Sequence, residues 1–201
     1  MSRAMTIKKI AVGVTGATGA VYAVRLLEEL ARRSDVEVHL VISQWGAKTL
    51  ALETGLRPAD LAALAHRTYD NGDLGAPIAS GSFGVEATAV VPCSVKTLAG
   101  IASGYASTLI GRAADVALKE RRPLILAVRE TPLSAIHLRN MLTVCEAGGT
   151  ILPPLPAFYG KPSSLDDIIT HTVGQILRHL GLETDVGFRW EGAGPVADGQ
   201  A

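Results

Sequence analysis

Cysteine is almost absent from this chain of 201 residues: there are two, Cys93 and Cys145. Two thiols this far apart build no disulfide framework and have no metal-ligand spacing. Cys93, at the end of an apolar run, reads as a small buried hydrophobe rather than a reactive thiol. Net charge is lacking as well. Nineteen basic residues balance nineteen acidic ones, which argues against a nucleic-acid surface or a polybasic membrane patch. No apolar run approaches the roughly 20 residues of a membrane span, and no secretory segment opens the sequence. The cytoplasm is the expected compartment. What is there is 48% hydrophobic and 19% charged, the composition of a compact globular protein with a substantial core. High apolar content at zero net charge also points to surface buried between copies of the chain.

The most informative stretch runs from Ile7 to Ala20: an apolar strand, a turn with Gly13, Gly16 and Gly19, then a helix. Ala20, Ala23, Val24, Leu27, Leu30 and Ala31 give that helix one apolar face. A helix N-terminus at the C-terminal edge of a strand is a phosphate site in waiting. The spacing G-x-x-G-x-x-G is not the dinucleotide fingerprint, and the second strand ends at Ser43 where a ribose-binding carboxylate would stand. No Gly-Lys-Ser/Thr follows, so it is not a P-loop either. A mononucleotide, FMN above all, is the better reading; glycines that merely relieve crowding are the alternative.

Strands are expected over Ile7–Val14, Val36–Ser43, Ala87–Pro92, Pro123–Arg129 and Thr150–Leu152, several as continuous apolar runs of the kind covered on both faces. Helices are expected over Ala20–Arg33, Gln44–Glu53, Ser94–Ala102, Leu109–Glu120, Ser134–Ala147 and Ser164–Gly181. The alternation predicts one α/β domain over residues 1–190, a three-layer αβα, doubly wound parallel sheet of flavodoxin/Rossmann type. In the last helix Leu165, Ile168, Ile169, Val173, Ile176, Leu177 and Leu180 form the stripe, with Ser163 or Ser164 as cap. Residues 191–201, rich in Gly and Ala, read as a mobile tail. Two loops, Asp70–Gly84 and Pro153–Pro162, are placed to line a ligand crevice.

Four segments carry residues suited to chemistry. Ser94, Val95, Lys96 and Thr97 open a helix after a buried strand, a second start that favours an anion, with an ordinary N-cap as the plain alternative. Arg112 and Lys119 stand two turns apart on one helix face; Arg121 and Arg122, at the helix end, complement the dipole without needing a ligand. Arg129 and Glu130 leave a buried strand where the crevice should be, as phosphate clamp and general acid–base, or as a plain surface turn before Pro132. His137, His171 and His179 lie on helices without metal spacing and read as surface or margin residues.

Taken together, Gly13-Val14-Thr15-Gly16-Ala17-Thr18-Gly19-Ala20, Ala79-Ser80-Gly81-Ser82, Pro92-Cys93-Ser94-Val95-Lys96-Thr97-Leu98, the run from Arg112 to Leu124, Val128-Arg129-Glu130-Thr131-Pro132 and Pro156-Ala157-Phe158-Tyr159 resemble the flavin prenyltransferases of the UbiX/Pad family. The resemblance implies a flavodoxin-like domain that binds FMN between subunits of a dodecamer and needs no metal. It implies transfer of a dimethylallyl group from dimethylallyl monophosphate to reduced FMN, and prenylated FMN as the product for a partner decarboxylase. By position, Gly16, Ala17, Thr18, Ser43, Ser94, Val95, Lys96, Thr97 and Arg129 would bind FMN. Tyr159 would contact the donor, with Arg112, Lys119 and Arg129 around its phosphate and Glu130 as acid–base residue; Ser80, Glu53 and Trp190 also fall at pocket positions. The sequence departs from the family twice. Thr18 replaces a serine, and Gln175 stands where an arginine or lysine grips the phosphate. The lost charge-assisted bond is worth roughly 1.5–3 kcal/mol, and Lys161, close to Tyr159 in sequence, is a candidate to compensate.

Two other readings remain open at this stage. A non-catalytic FMN carrier would bind the same cofactor without turnover, and Gln175 would mark the lost step or a changed allylic preference. A flavin-dependent cysteine decarboxylase would want a histidine near the first helix, and Tyr22-Ala23-Val24-Arg25 has none.

Overall fold

The structure, a computed structural model, describes residues 7–190 and 192. The tail expected over 191–201 lies, apart from Gly192, outside those residues. Strands β1 (Lys8–Val14), β2 (Val36–Ile42), β3 (Arg67–Tyr69), β4 (Ala87–Cys93), β5 (Leu124–Val128) and β6 (Thr150–Ile151) form one parallel sheet in the order β3-β2-β1-β4-β5-β6. Chain direction across the sheet reverses between β1 and β4, which pair from Ile10↔Ala87 to Gly13↔Val90. That reversal opens a crevice beyond their C-terminal ends, where ligands of such sheets sit. The register of β4 against β5 shifts between Val90 and Cys93, across Pro92, which has no N–H to donate.

The helices are α1 (Ala20–Ala31), α2 (Gln44–Thr54), α3 (Pro58–Ala62), α4 (Val95–Ala102), α5 (Leu109–Lys119), α6 (Ala135–Glu146) and α7 (Leu165–His179). Because β4 and β5 are buried along their whole length, both faces of the sheet must be covered. Leu26, Leu27 and Leu30 of α1 and Val173, Ile176, Leu177 and Leu180 of the α7 end cover one face. Leu98 and Ile101 of α4, Leu109, Ile110 and Ala114 of α5 and Val144 of α6 cover the other. The three-layer α/β expectation holds.

Each expected strand and helix is present, with ends shifted by a residue or two. A short helix, a short strand and three single 3-10 turns (Pro77–Ala79, Gly81–Phe83 and Phe158–Gly160) were not expected. α3 has Pro58 at its first position and Asp60 bonding back to the Arg57 N–H, a local signal of helix start. β3 is a three-residue edge strand, too short for any pattern to register. Leu165 is a correction: at 78% exposed it lies outside the α7 stripe, because the capping turn at Ser164 points the first residue outward.

Candidate functional site

A cavity of about 620 Å³ lies beyond the C-terminal ends of β1, β2 and β4. Its size suits a mononucleotide cofactor, since ligand pockets run to roughly 300–1,000 Å³. Thr15 and Gly16, Ser43, and Ser94 with Lys96 and Thr97 line it, as the sequence suggested for all but Thr15. Ser43 and Ser94 are the N-caps of α2 and α4, their hydroxyls accepting from Gly46 N–H at 3.0 Å and Thr97 N–H at 3.3 Å. By helix geometry the N–H groups just ahead of these have no partner inside the helix and face the cavity end. Ala17, Thr18 and Val95 belong to the same two turns but do not line the cavity.

Thr15, which no sequence signal marked, ties these turns together. Its buried hydroxyl donates to the Pro92 carbonyl at 2.8 Å and accepts from Ser94 N–H at 2.8 Å, so the β1 and β4 ends are fixed to each other. The cavity also takes in Asn71, from the Asp70–Gly84 loop expected to line the crevice, and Trp45, Tyr105 and Thr108, which were unmarked beforehand. Thr108 caps α5, and Asn71 accepts from Leu109 N–H with its carbonyl and from Ile110 N–H with its side chain. A Thr before an apolar helix is a cap signal that would have found this third helix start.

The glycines of the first turn act mainly through close packing. A Cβ on Gly13 would lie 2.9 Å from Ile110, and one on Gly16 only 2.4 Å from the Trp45 Cβ. Gly19 has φ 105, open to glycine and strained for other residues. The expectation of an open anion site at the start of α1 is overturned. Glu53 fills it, its carboxylate accepting from Gly19 N–H at 2.9 Å and Ala20 N–H at 2.7 Å. Glu53, expected at the substrate pocket, is therefore bound to the α1 start: an anion completes that helix end from inside the protein.

The cations fall into separate groups. On α5, Arg112 pairs with Asp115 and donates to the Ala79 carbonyl at 3.0 Å, beside exposed Ser80. Lys119 pairs with Glu120. Arg122 holds the Val85 and Gly81 carbonyls at 2.9 and 3.0 Å, a contact to the neighbouring loop where a helix-dipole role was read for it. Arg129 is exposed at the end of β5, its N–H donating to the Cys93 carbonyl at 3.1 Å, and Glu130 accepts from Thr131 N–H at 2.9 Å. Neither lines the cavity within this chain. Burial pushes the Cys93 thiol up to about 12, so it is inert as read.

A third group gathers on the opposite side of the sheet. Tyr159 stacks edge-on to Trp190 at 5.5 Å and to His171 at 6.2 Å, with Phe188 at 5.4 Å. Tyr159 and Trp190 are thus brought together, about half exposed. Gln175 is half-buried on α7 nearby, and Lys161 is exposed. His171 is a correction, nine-tenths buried rather than a surface residue, because the 186–188 segment packs over α7. No cluster of His, Cys, Asp and Glu suited to a metal occurs among the described residues, and no described helix is long and apolar enough to cross a membrane.

The Flavoprotein family profile matches residues 1–177. The mitochondrial flavin prenyltransferase PAD1 of Saccharomyces cerevisiae is 54% identical over 185 residues, 92% of this chain and 76% of that protein. The chain belongs to the flavin prenyltransferase family. The crystal structure of a dodecameric FMN-dependent UbiX-like decarboxylase from Escherichia coli O157:H7 superposes with a TM-score of 0.89 at 50% identity, covering 92% of this chain and 100% of that one. A structure of AnUbiX (PadA1) with FMN and dimethylallyl pyrophosphate also gives 0.89, at 49% identity over 94% and 100% of the two chains.

Proposed function

We propose that this protein transfers a dimethylallyl group from dimethylallyl monophosphate to reduced FMN, giving prenylated FMN and inorganic phosphate. The observation that carries the reading is the cavity at the sheet reversal, with two serine-capped helix starts and Lys96 on one rim, in a flavin prenyltransferase chain. Ser43, Ser94, Lys96 and Thr97 suit the phosphate end of FMN, and Gly16, packed against Trp45, lies beside them in the cavity wall. Ala17, Thr18, Val95 and Arg129 are assigned to the same cofactor from their place in the two turns and at the end of β5. Reduced FMN, when bound, supplies the electron-rich ring that accepts the allyl group.

Breaking the allylic C–O bond leaves positive charge on carbon and negative charge on phosphate. We assign Arg112, Lys119 and Arg129 to the departing phosphate and Glu130 to the proton that must move, with Tyr159, Ser80, Gln175 and Trp190 around the donor. Arg112 and Lys119 stand on the α5 face of the sheet and Tyr159 on the α7 face. One chain cannot close these groups on a single phosphate. The reading therefore needs a neighbouring copy, in keeping with the dodecamer of the Escherichia coli relative and with the exposed Ile136, Leu138 and Leu142 on α6. A cytoplasmic oligomer that hands its product to a partner decarboxylase completes the proposal.

The test is anaerobic incubation of the protein with reduced FMN and dimethylallyl monophosphate, followed by mass spectrometry of the extracted flavin. A flavin heavier by one dimethylallyl unit is expected. Tightly held but unmodified FMN would sink the transferase reading in favour of a carrier.

A further inference from the structure

Each of the two α5 cations already has a carboxylate of its own. Arg112 and Asp115, three residues apart on the helix, are ion-paired. That spacing brings side chains together on a helix surface, so the pair forms wherever the helix does. Lys119, in the last turn, pairs with Glu120, the residue that ends the helix. Helix spacing does not set this second pair, since neighbours in sequence do not face each other on a helix. The loop of residues 79–85 helps to set it. Gly81 leaves the space that the Glu120 carboxylate fills, and a Cβ on Gly81 would overlap it. Arg122, which holds the Gly81 and Val85 carbonyls, lies with its Nη2 3.8 Å from the other oxygen of Glu120. A carboxylate that lets go of Lys119 therefore has Arg122 to turn to.

The same loop puts Ser80 between the two pairs. Arg112 holds the Ala79 carbonyl on one side of it, and Glu120 lies against Gly81 on the other. All four charged side chains are between a third and a half exposed, so an anion from solvent can reach them. The Lys119 ammonium, hydrogen-bonded to Glu120, holds that carboxyl below the usual glutamate range, and it is ionised at neutral pH. A phosphate that approaches Arg112 and Lys119 thus meets two cations whose charge is cancelled by two carboxylates. Each carboxylate repels the phosphate and competes for the donors it needs.

We propose that Asp115 and Glu120 are built-in counter-ions that set how tightly the α5 cations hold phosphate, keeping both the donor and the inorganic phosphate it leaves behind from binding too firmly. Neither carboxylate touches the reacting atoms; each acts through its cation. Binding the phosphate equally well in substrate and product gains nothing in turnover, and a counter-ion that takes its cation back returns the site to the resting state. The inference rests on the reading of Arg112 and Lys119 as ligands of the departing phosphate.

Calorimetric titration of the FMN-loaded protein with dimethylallyl monophosphate, and separately with inorganic phosphate, tests it. Asp115→Asn and Glu120→Gln keep the side-chain shape and remove one charge each. Each variant is expected to bind both titrants about twofold to fivefold more tightly, the scale of a partly exposed ion pair. The double variant should show the product of the two gains, as independent sites do. The gains should shrink between about 0.1 M and about 1 M salt, as screening shortens the reach of each charge. Weaker binding would make the carboxylates positioning groups for their cations and overturns the proposal. Unchanged binding overturns it too, as does a gain that salt leaves untouched. Lys119→Met separates the inference from the reading beneath it. Weaker donor binding in Lys119→Met, with no gain in Glu120→Gln, overturns the counter-ion and leaves the reading standing. Unchanged donor binding in Lys119→Met removes Lys119 from the phosphate site and overturns both. A parent whose variants show the expected gains but which leaves FMN unmodified sinks the transferase reading alone.

Discussion

Glu53 on α2 closes the first turn of α1, its carboxylate within 2.9 Å of the Gly19 N–H and 2.7 Å of the Ala20 N–H. The anion is built into the chain at the very helix start that the glycine turn offered to a phosphate. Glu53→Ala should destabilise the protein by about 1–2 kcal/mol, the cost of an absent N-terminal cap, read as a lower urea midpoint with an unchanged slope. Added inorganic phosphate should raise the melting temperature of that variant more than that of the parent, since the vacated helix end would then bind it.

Thr15 joins two strand ends by one hydroxyl, to Pro92 and Ser94. Thr15→Val keeps the shape and removes both bonds, leaving the half-buried Ser94 N–H without its acceptor. A loss of about 1–3 kcal/mol in unfolding free energy is expected. FMN affinity, measured by fluorescence quenching, should fall with it, because the helix start at Ser94 is no longer fixed against Gly16.

Glu130→Gln tests the proposed proton transfer. Turnover should fall by about 10²–10⁴-fold, the range for a positioned acid–base group, while FMN still binds with parental affinity. Lys119→Met should instead weaken donor binding together with turnover. Loss of FMN binding in Glu130→Gln would show that the carboxylate serves the cofactor rather than the chemistry.

Asp167, in the first turn of α7, bonds back across the Ser164 cap, and hydrogen bonds from Ser163 first, then Ser164, hold its carboxyl below the usual aspartate range. The folded state thus binds this proton less readily than the unfolded state. The stabilisation is full above the ordinary aspartate pKa, near pH 4, and is lost as pH falls through the lower folded value. Asp167→Asn should melt below the parent at pH 7, and the gap should close on acidification. A gap independent of pH would rule the capping carboxylate out as its cause.

The sheet, its flanking helices and the family were legible in the sequence because each rests on local pattern. Continuous apolar runs marked the buried strands β4 and β5, and Ser164 with Asp167 marked the start of α7. Ser43 and Ser94 were found for the same reason, as caps next to strand ends. Trp45 and Tyr105 were not found, since nothing in their own neighbourhoods distinguishes a cavity wall from an exposed aromatic.

What the sequence by itself determined is the alternation of elements, the two serine-capped helix starts and membership of a flavin prenyltransferase family. Only the tertiary structure decided which of the charged residues face what. Glu53 meets Gly19 across 34 residues, Thr15 meets Pro92 across 77, and the α5 cations stand on the side of the sheet opposite Tyr159. The reason is physical. Periodicity fixes which face of a helix is apolar, but the partner of a charge depends on which segments the packed core brings within hydrogen-bond reach.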